Sequence, residues 1–437
     1  MNKFTITKDF AKIITNKKIF LSKFCTLIER NISIMKKSQK LLLMVLTLVI
    51  IIAPNLKAYA DDELEVDAKA AIIVERNSGK VIYEKNSDIK NYPASVTKIL
   101  TAIIVLENCN LDDIATVSQT AISQIPSEYV VAPLKVGEEL RVEDLLYALM
   151  LKSANDAAYV LAEHVGGSVE GFADIMNTKA EEIGCKESHF VNPNGLHNEN
   201  HYVTAYDMYL ISDYAMKNET FAKIVSTYQY TLPATNKYNG TDRIMVNTNN
   251  LINSSSDYYN ESVKGIKTGT TIPAGNCLIA DAEKDGLEFL TVVLGAETSN
   301  SKFVETNKML DYSFENYLLT NIHEKGDIIK SIEVEKATEE TKNLNLVISD
   351  GIKVMKNKGI DVDDIKPEII ISENVVAPIS EGQELGTVRY SVDGLEYSAK
   401  LLAANSVERK IYNKEIMIAV GCFLVIIILV RVVGRKK

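Results

Sequence analysis

The chain has 437 residues, enough for two or three domains, with 46% hydrophobic and 24% charged residues. Those figures exclude intrinsic disorder, a collagen-like fibre and a small disulfide scaffold. The net charge of −10 is unevenly spread: residues 1–60 carry +9 and 416–437 carry +4, which leaves −23 on 61–415. A body this acidic repels phosphate backbones and argues against nucleic-acid binding.

Met35-Lys36-Lys37-Ser38-Gln39-Lys40 precedes an apolar run, Leu41 to Ala53, and Ala58-Tyr59-Ala60 follows it. A charged segment, a short apolar core and an A-x-A site read as a secretory signal cleaved after Ala60. The run is short for a retained membrane helix. Residues 1–34 are surplus to such a signal, which makes Met35 a candidate start.

In the exported part, Ala70 to Glu75 and Lys80 to Glu84 read as strands around the hairpin signal Asn77-Ser78-Gly79. Pro93-Ala94 opens a helical run, Ser95 to Glu107. The pattern is again helical from Val142 to Val165, from Phe172 to Ile183 and from Thr204 to Met216, with a turn cluster at Asn192-Pro193-Asn194-Gly195. Gly265 to Thr270, Cys277 to Ala282 and Leu287 to Leu294 make an antiparallel set with an Asp285-Gly286 turn, and Lys302 to Tyr317 closes with a helix. Helices packed on a sheet whose strands come from both ends of the domain give an α/β (α+β), two-layer or sandwich-like architecture.

After about residue 320 the pattern becomes short β-like runs: Ile328 to Glu335, Leu344 to Ile348, Ile352 to Met355, Ile369 to Ser372 and Thr387 to Leu402. This reads as a small all-β domain serving as a spacer, with no ionisable constellation. Ile416 to Val433 is apolar except for Arg431, and Arg435, Lys436 and Lys437 follow. Eighteen such residues just span a bilayer, with the basic tail cytoplasmic. The expected domains are therefore a leader over 1–60, a catalytic domain over 61–320, the β-domain over 321–408 and a membrane anchor over 409–437. Cys109, Cys185 and Cys277 are odd in number and widely spaced, so they read as buried free thiols rather than a disulfide framework or metal site.

Three motifs carry chemistry. In Ser95-Val96-Thr97-Lys98, positions i and i+3 of a helix share a face, so Lys98 reaches Ser95. A serine hydroxyl needs a base to act as a nucleophile, and a lysine kept neutral by burial and neighbours supplies one. The helix N-terminus also offers N–H groups to a developing oxyanion. In Ser153-Ala154-Asn155 the hydroxyl relays a proton and the amide holds a lysine or a substrate carbonyl. In Lys267-Thr268-Gly269-Thr270 the ammonium and hydroxyls bind a carboxylate, and Gly269 lets a substrate backbone approach.

Together and in this order, the motifs form the S-x-x-K, S-D-N-like and K-T-G set of penicillin-binding proteins and class A β-lactamases. With Tyr92-Pro93-Ala94-Ser95, Asn192-Pro193-Asn194-Gly195-Leu196, His201-Tyr202 and Ala274-Gly275-Asn276-Cys277, the chain resembles the low-molecular-mass penicillin-binding proteins of the D-alanyl-D-alanine carboxypeptidase family, serine peptidase family S11, over roughly 65–405. The resemblance implies a β-lactamase/transpeptidase-like catalytic fold, a small all-β domain and a C-terminal membrane helix. It implies Ser95 as the acylated nucleophile, Lys98 as general base, and Ser153 and Asn155 completing the proton network. Lys267 and Thr268 would hold the substrate carboxylate, and the N–H groups of Ser95 and Thr270 would form the oxyanion hole. The implied reaction releases the terminal D-alanine of a peptidoglycan stem peptide, in wall biosynthesis and cell shape, with β-lactams trapped at the same serine and no cofactor or metal. The implied place is the outer face of the cytoplasmic membrane.

Two departures stand out: Ala154 replaces a common glycine, and Lys302-Phe303 stands where Arg-Phe is usual. Lys302 remains a carboxylate-binding candidate, but lysine cannot make a bidentate fork. Rival readings are a β-lactamase, for which no Glu-x-x-Leu-Asn loop occurs between Asn155 and Lys267, and a catalytically silent peptidoglycan-binding protein. His197 and His201 have a ligand-like spacing, but Pro193, Asn194, Gly195 and Asn198 make the segment a loop and argue against a metallopeptidase.

Overall fold

The computed structural model describes residues 64–240, 242–410 and 413–434, with side chains of the last segment given for 417–431. The expected leader, with Met35 and the cleavage site at Ala60, lies outside these residues, as does the basic tail of Arg435, Lys436 and Lys437.

Strands β1 (Ala70–Glu75) and β2 (Lys80–Lys85) form the first hairpin. A 3-10 turn, Ala94–Thr97, runs directly into helix α1 (Lys98–Asn108). A small ribbon of β3 (Ile114–Thr116) and β4 (Glu139–Arg141) encloses α2 (Gln119–Ser123). Then come α3 (Val142–Tyr147), a π-helical turn Ala148–Lys152, α4 (Asn155–Gly166), α5 (Val169–Ile183), α6 (Ala205–Met216) and α7 (Glu219–Ser226). A second ribbon, β5 (Gln229–Thr231) with β6 (Ile244–Val246), leads to β7 (Lys267–Thr271), β8 (Gly275–Lys284), β9 (Leu287–Ala296) and α8 (Ser301–Asn316).

The main sheet has the order β2-β1-β9-β8-β7, all antiparallel, so the first strands of the domain pair with the last. Strand β1 is an unbroken apolar run because both faces of the sheet are covered. Ala70, Ile72 and Val74 join the core under α1, α4 and α6, while Ala71 and Ile73 face Phe303, Met309 and Leu310 of α8. Capping side chains set where helices begin: Ser168 accepts from Gly171 N, Thr204 from Asp207 N and Asn218 from Phe221 N.

The expected continuous helix from Val142 to Val165 is broken. Ser153 takes a left-handed conformation (φ 64°, ψ 32°) and Ala154 an extended one, after a wide π turn. Serine, asparagine and aspartate at 153, 155 and 156 favour such a break by offering side-chain alternatives to helical hydrogen bonds. The consequence is that Asn155 becomes the first residue of a new helix rather than a mid-helix residue.

Beyond α8, β10 (Tyr317–His323) pairs with β13 (Ile352–Asn357). Strands β11 (Ile328–Glu333), β12 (Asn343–Ile348), β14 (Glu368–Ile371), β15 (Glu384–Val392) and β16 (Leu395–Ala403) form a sheet ordered β11-β12-β16-β15-β14 over its own core. One ionisable cluster lies here that the sequence did not reveal. The hydroxyl of buried Tyr390 is 2.6 Å from His323 Nε2, and His323 Nδ1 is 3.4 Å from Asp327. The module touches the first hairpin through the Lys80–Asp393 ion pair at 2.7 Å.

The C-terminal segment forms helix α9 (Asn413–Gly434). Among the described residues no helix is long and apolar enough to cross a membrane. Cys277 is buried as expected of a core thiol, whereas Cys109 and Cys185 are only half-buried because each sits just past the end of a helix.

Arg76 ties the first hairpin to three other elements. Its guanidinium contacts Asp213 of α6 at 2.8 Å, Asp281 of β8 at 3.2 Å and Glu288 of β9 at 3.1 Å. Burial raises Asp281 to about 6 against the opposing pull of Arg76. Removing the cation leaves this carboxylate uncompensated, so Arg76→Ala is expected to cost about 3 kcal/mol or more. Urea unfolding of the variant checks this; a loss below about 1 kcal/mol would mean the network is solvated and weak.

Candidate active site

The 3-10 turn positions Ser95. With three residues per turn, positions i and i+3 eclipse, which brings Lys98 Nζ to 3.0 Å from Ser95 Oγ. Ser95 is half-buried, while Lys98 has no solvent exposure. Two further contacts hold Lys98 Nζ, both at 3.0 Å: Asn155 Oδ1 and the Asn194 carbonyl. Asn155 is oriented by donating from Nδ2 to Val130 O (2.9 Å), so its oxygen necessarily faces the amine.

This geometry decides the direction of the Ser95–Lys98 hydrogen bond. Burial, and then the nearby Lys267, push Lys98 well below the usual lysine range, with only Asp156 opposing. A neutral amine has two N–H donors and one lone pair. Asn155 Oδ1 and Asn194 O are pure acceptors and take both donors. The lone pair is left for Ser95, whose O–H must donate to it. A general base aimed at a nucleophile is the result.

Two supports were not assigned roles from sequence. Asp156 is buried, and its carboxylate accepts from Ala132 N (2.9 Å) and Leu134 N (3.0 Å), which pins the loop that presents Val130 O. Asn194 supplies the carbonyl on Lys98, and its amide donates to Asn155 Oδ1 at 3.0 Å. The Asn-Pro-Asn-Gly turn cluster was the available signal. Gly195 lets this loop close on the nucleophile, since a Cβ there would sit 1.8 Å from Ala94 O.

Ser153 is half-buried, and its hydroxyl enters no hydrogen bond among the described residues. Ala154 has φ −62°, a conformation open to any residue, so alanine replaces glycine without strain.

Strand β7 forms the opposite wall. It is an edge strand of the sheet. Lys267 is buried, with Nζ 3.0 Å from Thr268 O. Thr268 Oγ1 lies 2.5 Å from Thr248 Oγ1, while exposed Thr270 donates to Asn276 Oδ1 at 3.2 Å. Gly269 makes room for the protein's own backbone: a Cβ at this position would lie 2.8 Å from Ser95 N and 3.0 Å from Val96 N.

Lys302, in the first turn of α8, is 7% exposed. It has no carboxylate within ion-pair distance among the described residues, and its Nζ lies 5.1 Å from the Phe303 ring centroid. Burial lowers Lys302, while burial and then Lys302 lower Lys267 to about 7. Lys267 and Lys302 thus face each other with no carboxylate paired to either among the described residues, which suits a site shaped for an anionic ligand.

His201 is closed to metal. Its Nδ1 accepts from Val191 N (3.4 Å), which leaves the proton on Nε2, 3.0 Å from Thr97 Oγ1. Burial depresses it to about 3, so it stays neutral. His197 packs edge-on against Tyr92.

A buried lysine base on a serine, facing an edge strand that carries a second buried lysine, defines a serine acyl-transfer hydrolase. Two family models match the chain: D-alanyl-D-alanine carboxypeptidase over residues 57–298, and the penicillin-binding protein 5 C-terminal domain over residues 317–409. The D-alanyl-D-alanine carboxypeptidase DacF of Bacillus subtilis (strain 168) is 36% identical over 355 residues, 80% of this chain and 87% of its own. The crystal structure of penicillin binding protein 5 from Haemophilus influenzae superposes with a TM-score of 0.60 at 28% identity, covering 79% of this chain and 98% of that one. A peptidoglycan synthesis regulatory factor (PBP3) from Streptococcus pneumoniae gives 0.63 at 25% identity, covering 79% and 100%. The chain belongs to the D-alanyl-D-alanine carboxypeptidase family, serine peptidase family S11.

Gly269→Ala is expected to push β7 off the Ser95 amide and to slow acylation by a β-lactam about 10²-fold, the usual loss of one oxyanion donor. Mass spectrometry of the acyl-enzyme over time, with circular dichroism as the folding control, measures this. An unchanged rate would show that the close approach is dispensable.

Proposed function

We propose that the chain is a serine-type D-Ala-D-Ala carboxypeptidase acting on peptidoglycan stem peptides. The observation that carries this reading is the buried Lys98 amine held at 3.0 Å from Ser95 Oγ by two acceptors. Lys98 takes the Ser95 proton as Oγ attacks the carbonyl of the penultimate D-alanine. The Ser95 and Thr270 N–H groups receive the oxyanion. The peptide bond breaks, the proton passes to the leaving amine with Ser153 as relay, and D-alanine departs. Water, activated by Lys98, then hydrolyses the ester and restores Ser95. In a β-lactam the leaving nitrogen stays tethered through the opened ring, so the acyl-enzyme persists.

The terminal carboxylate of the substrate would sit against Lys267, Thr268 and Lys302, supplying the anion this cluster lacks. Lys267 titrates near 7 in the free site. A bound carboxylate favours its charged form, so above this pH binding must draw a proton from solution. The Michaelis constant is therefore expected to rise with pH above about 7, by up to about tenfold per unit, and to flatten below it. Steady-state D-alanine release across pH 6–9 measures the trend; a flat Michaelis constant would remove Lys267 from the carboxylate site.

Ser95→Ala should abolish both D-alanine release and labelling by a fluorescent penicillin. Labelling of the wild type without release would instead favour the silent binding protein.

The chain would work outside the cell, at the outer face of the cytoplasmic membrane, with α9 as its anchor. Support comes from the exposure of Met417 (73%), Phe423 (65%) and Val430 (67%), large apolar side chains left largely uncovered by the described residues. Deleting 409–437 should move the protein from the membrane fraction to the soluble one. Retention on the membrane would assign anchoring elsewhere.

A further inference from the structure

The two helices that present Lys98 and Asn155 at their N-terminal ends also meet at their far ends. Cys109 follows the last turn of α1, Asp113 lies in the turn beyond it, and His164 stands in the last turn of α4. One donor atom from each, the thiol sulfur, a carboxylate oxygen and a ring nitrogen, lies within 4.8 Å of the other two. No hydrogen bond joins the three to one another among the described residues. The Asp113 carboxylate instead accepts from Asn110 N at 2.7 Å and from the Asn110 amide at 3.5 Å. Cys109 and Asp113 are half-buried and His164 is exposed.

We propose that Cys109, Asp113 and His164 bind one divalent cation of the zinc class, with water as the fourth ligand. Thiolate, imidazole and carboxylate are the donor types of tetrahedral zinc sites, and a sulfur donor selects against magnesium and calcium. Zinc bonds of about 2.0–2.3 Å set neighbouring donors about 3.5 Å apart, so the cluster needs to close by about 1 Å. The His164 ring, exposed and engaged in no hydrogen bond among the described residues, supplies that movement by side-chain rotation. Asn110 already orients the Asp113 carboxylate, as outer partners of metal ligands do. On binding, the Cys109 thiol gives its proton to solvent and the thiolate joins the metal.

The ion would clamp the end of α1 to the end of α4, about 16 Å along α1 from Lys98. Its role is structural: it holds together the two helices whose other ends make the Lys98–Asn155 hydrogen bond. The sequence concealed this site because Cys109-x-x-x-Asp113 is separated from His164 by all of α2, α3 and most of α4.

The test uses the full chain, purified in detergent, stripped with a chelator and titrated with cobalt(II) as a spectroscopic substitute for zinc. One equivalent should produce a thiolate-to-cobalt charge-transfer band, and Cys109→Ser should abolish it. His164→Gln, a change at an exposed position, should weaken binding at least about tenfold and remove the rise in melting temperature that zinc gives the wild type. Should Cys109→Ser fail to fold, His164→Gln decides alone. Absence of the band in the wild type, its survival in Cys109→Ser, or wild-type affinity in His164→Gln would each overturn the proposal.

Discussion

The rest of the structure depends on the burial of Lys98 without an acidic partner. An ammonium taken out of water and left unpaired is too costly to keep, so the group responds by staying neutral. What makes this tolerable is that both N–H donors are satisfied, by Asn155 Oδ1 and by Asn194 O. The surrounding features follow from that requirement. The chain breaks at Ser153 to bring Asn155 to the head of α4, Asp156 fixes the loop whose carbonyl orients Asn155, and Gly195 allows the Asn194 loop to close on the 3-10 turn. Lys267 and Lys302 extend the same logic, since desolvation lowers both and each lacks a paired carboxylate among the described residues.

Much of this was legible in the sequence. The spacing of Ser95 and Lys98 is short enough for local helical geometry to bring them together whatever the tertiary fold. Strands β1, β8 and β9 of the main sheet showed themselves as largely apolar runs, and the unbroken run of β1 is explained by cover on both faces. The break within 142–165 was not legible, because leucines and alanines on both sides keep a helical period through it. Propensity could not reveal that a left-handed Ser153 is held by its surroundings.

Gly269 shows a further constraint that the sequence did not reveal: the missing Cβ also makes room for the Ser95 amide. Asn194 and the Cys109, Asp113 and His164 cluster are assembled only by packing between segments distant in sequence. The C-terminal β-module, with its own core and its buried Tyr390 hydroxyl met by His323, was visible as alternating short strands but not as a set of pairings.

The measurement that tests the central claim most directly is the first-order rate of Ser95 acylation at saturating penicillin as a function of pH. A neutral Lys98 base predicts a rate that has already reached its plateau near neutral pH, with a midpoint well below that of an ordinary lysine. A rate that keeps climbing toward pH 10 would mean that Lys98 is charged in the resting enzyme, and the account of how this site activates its serine would be wrong.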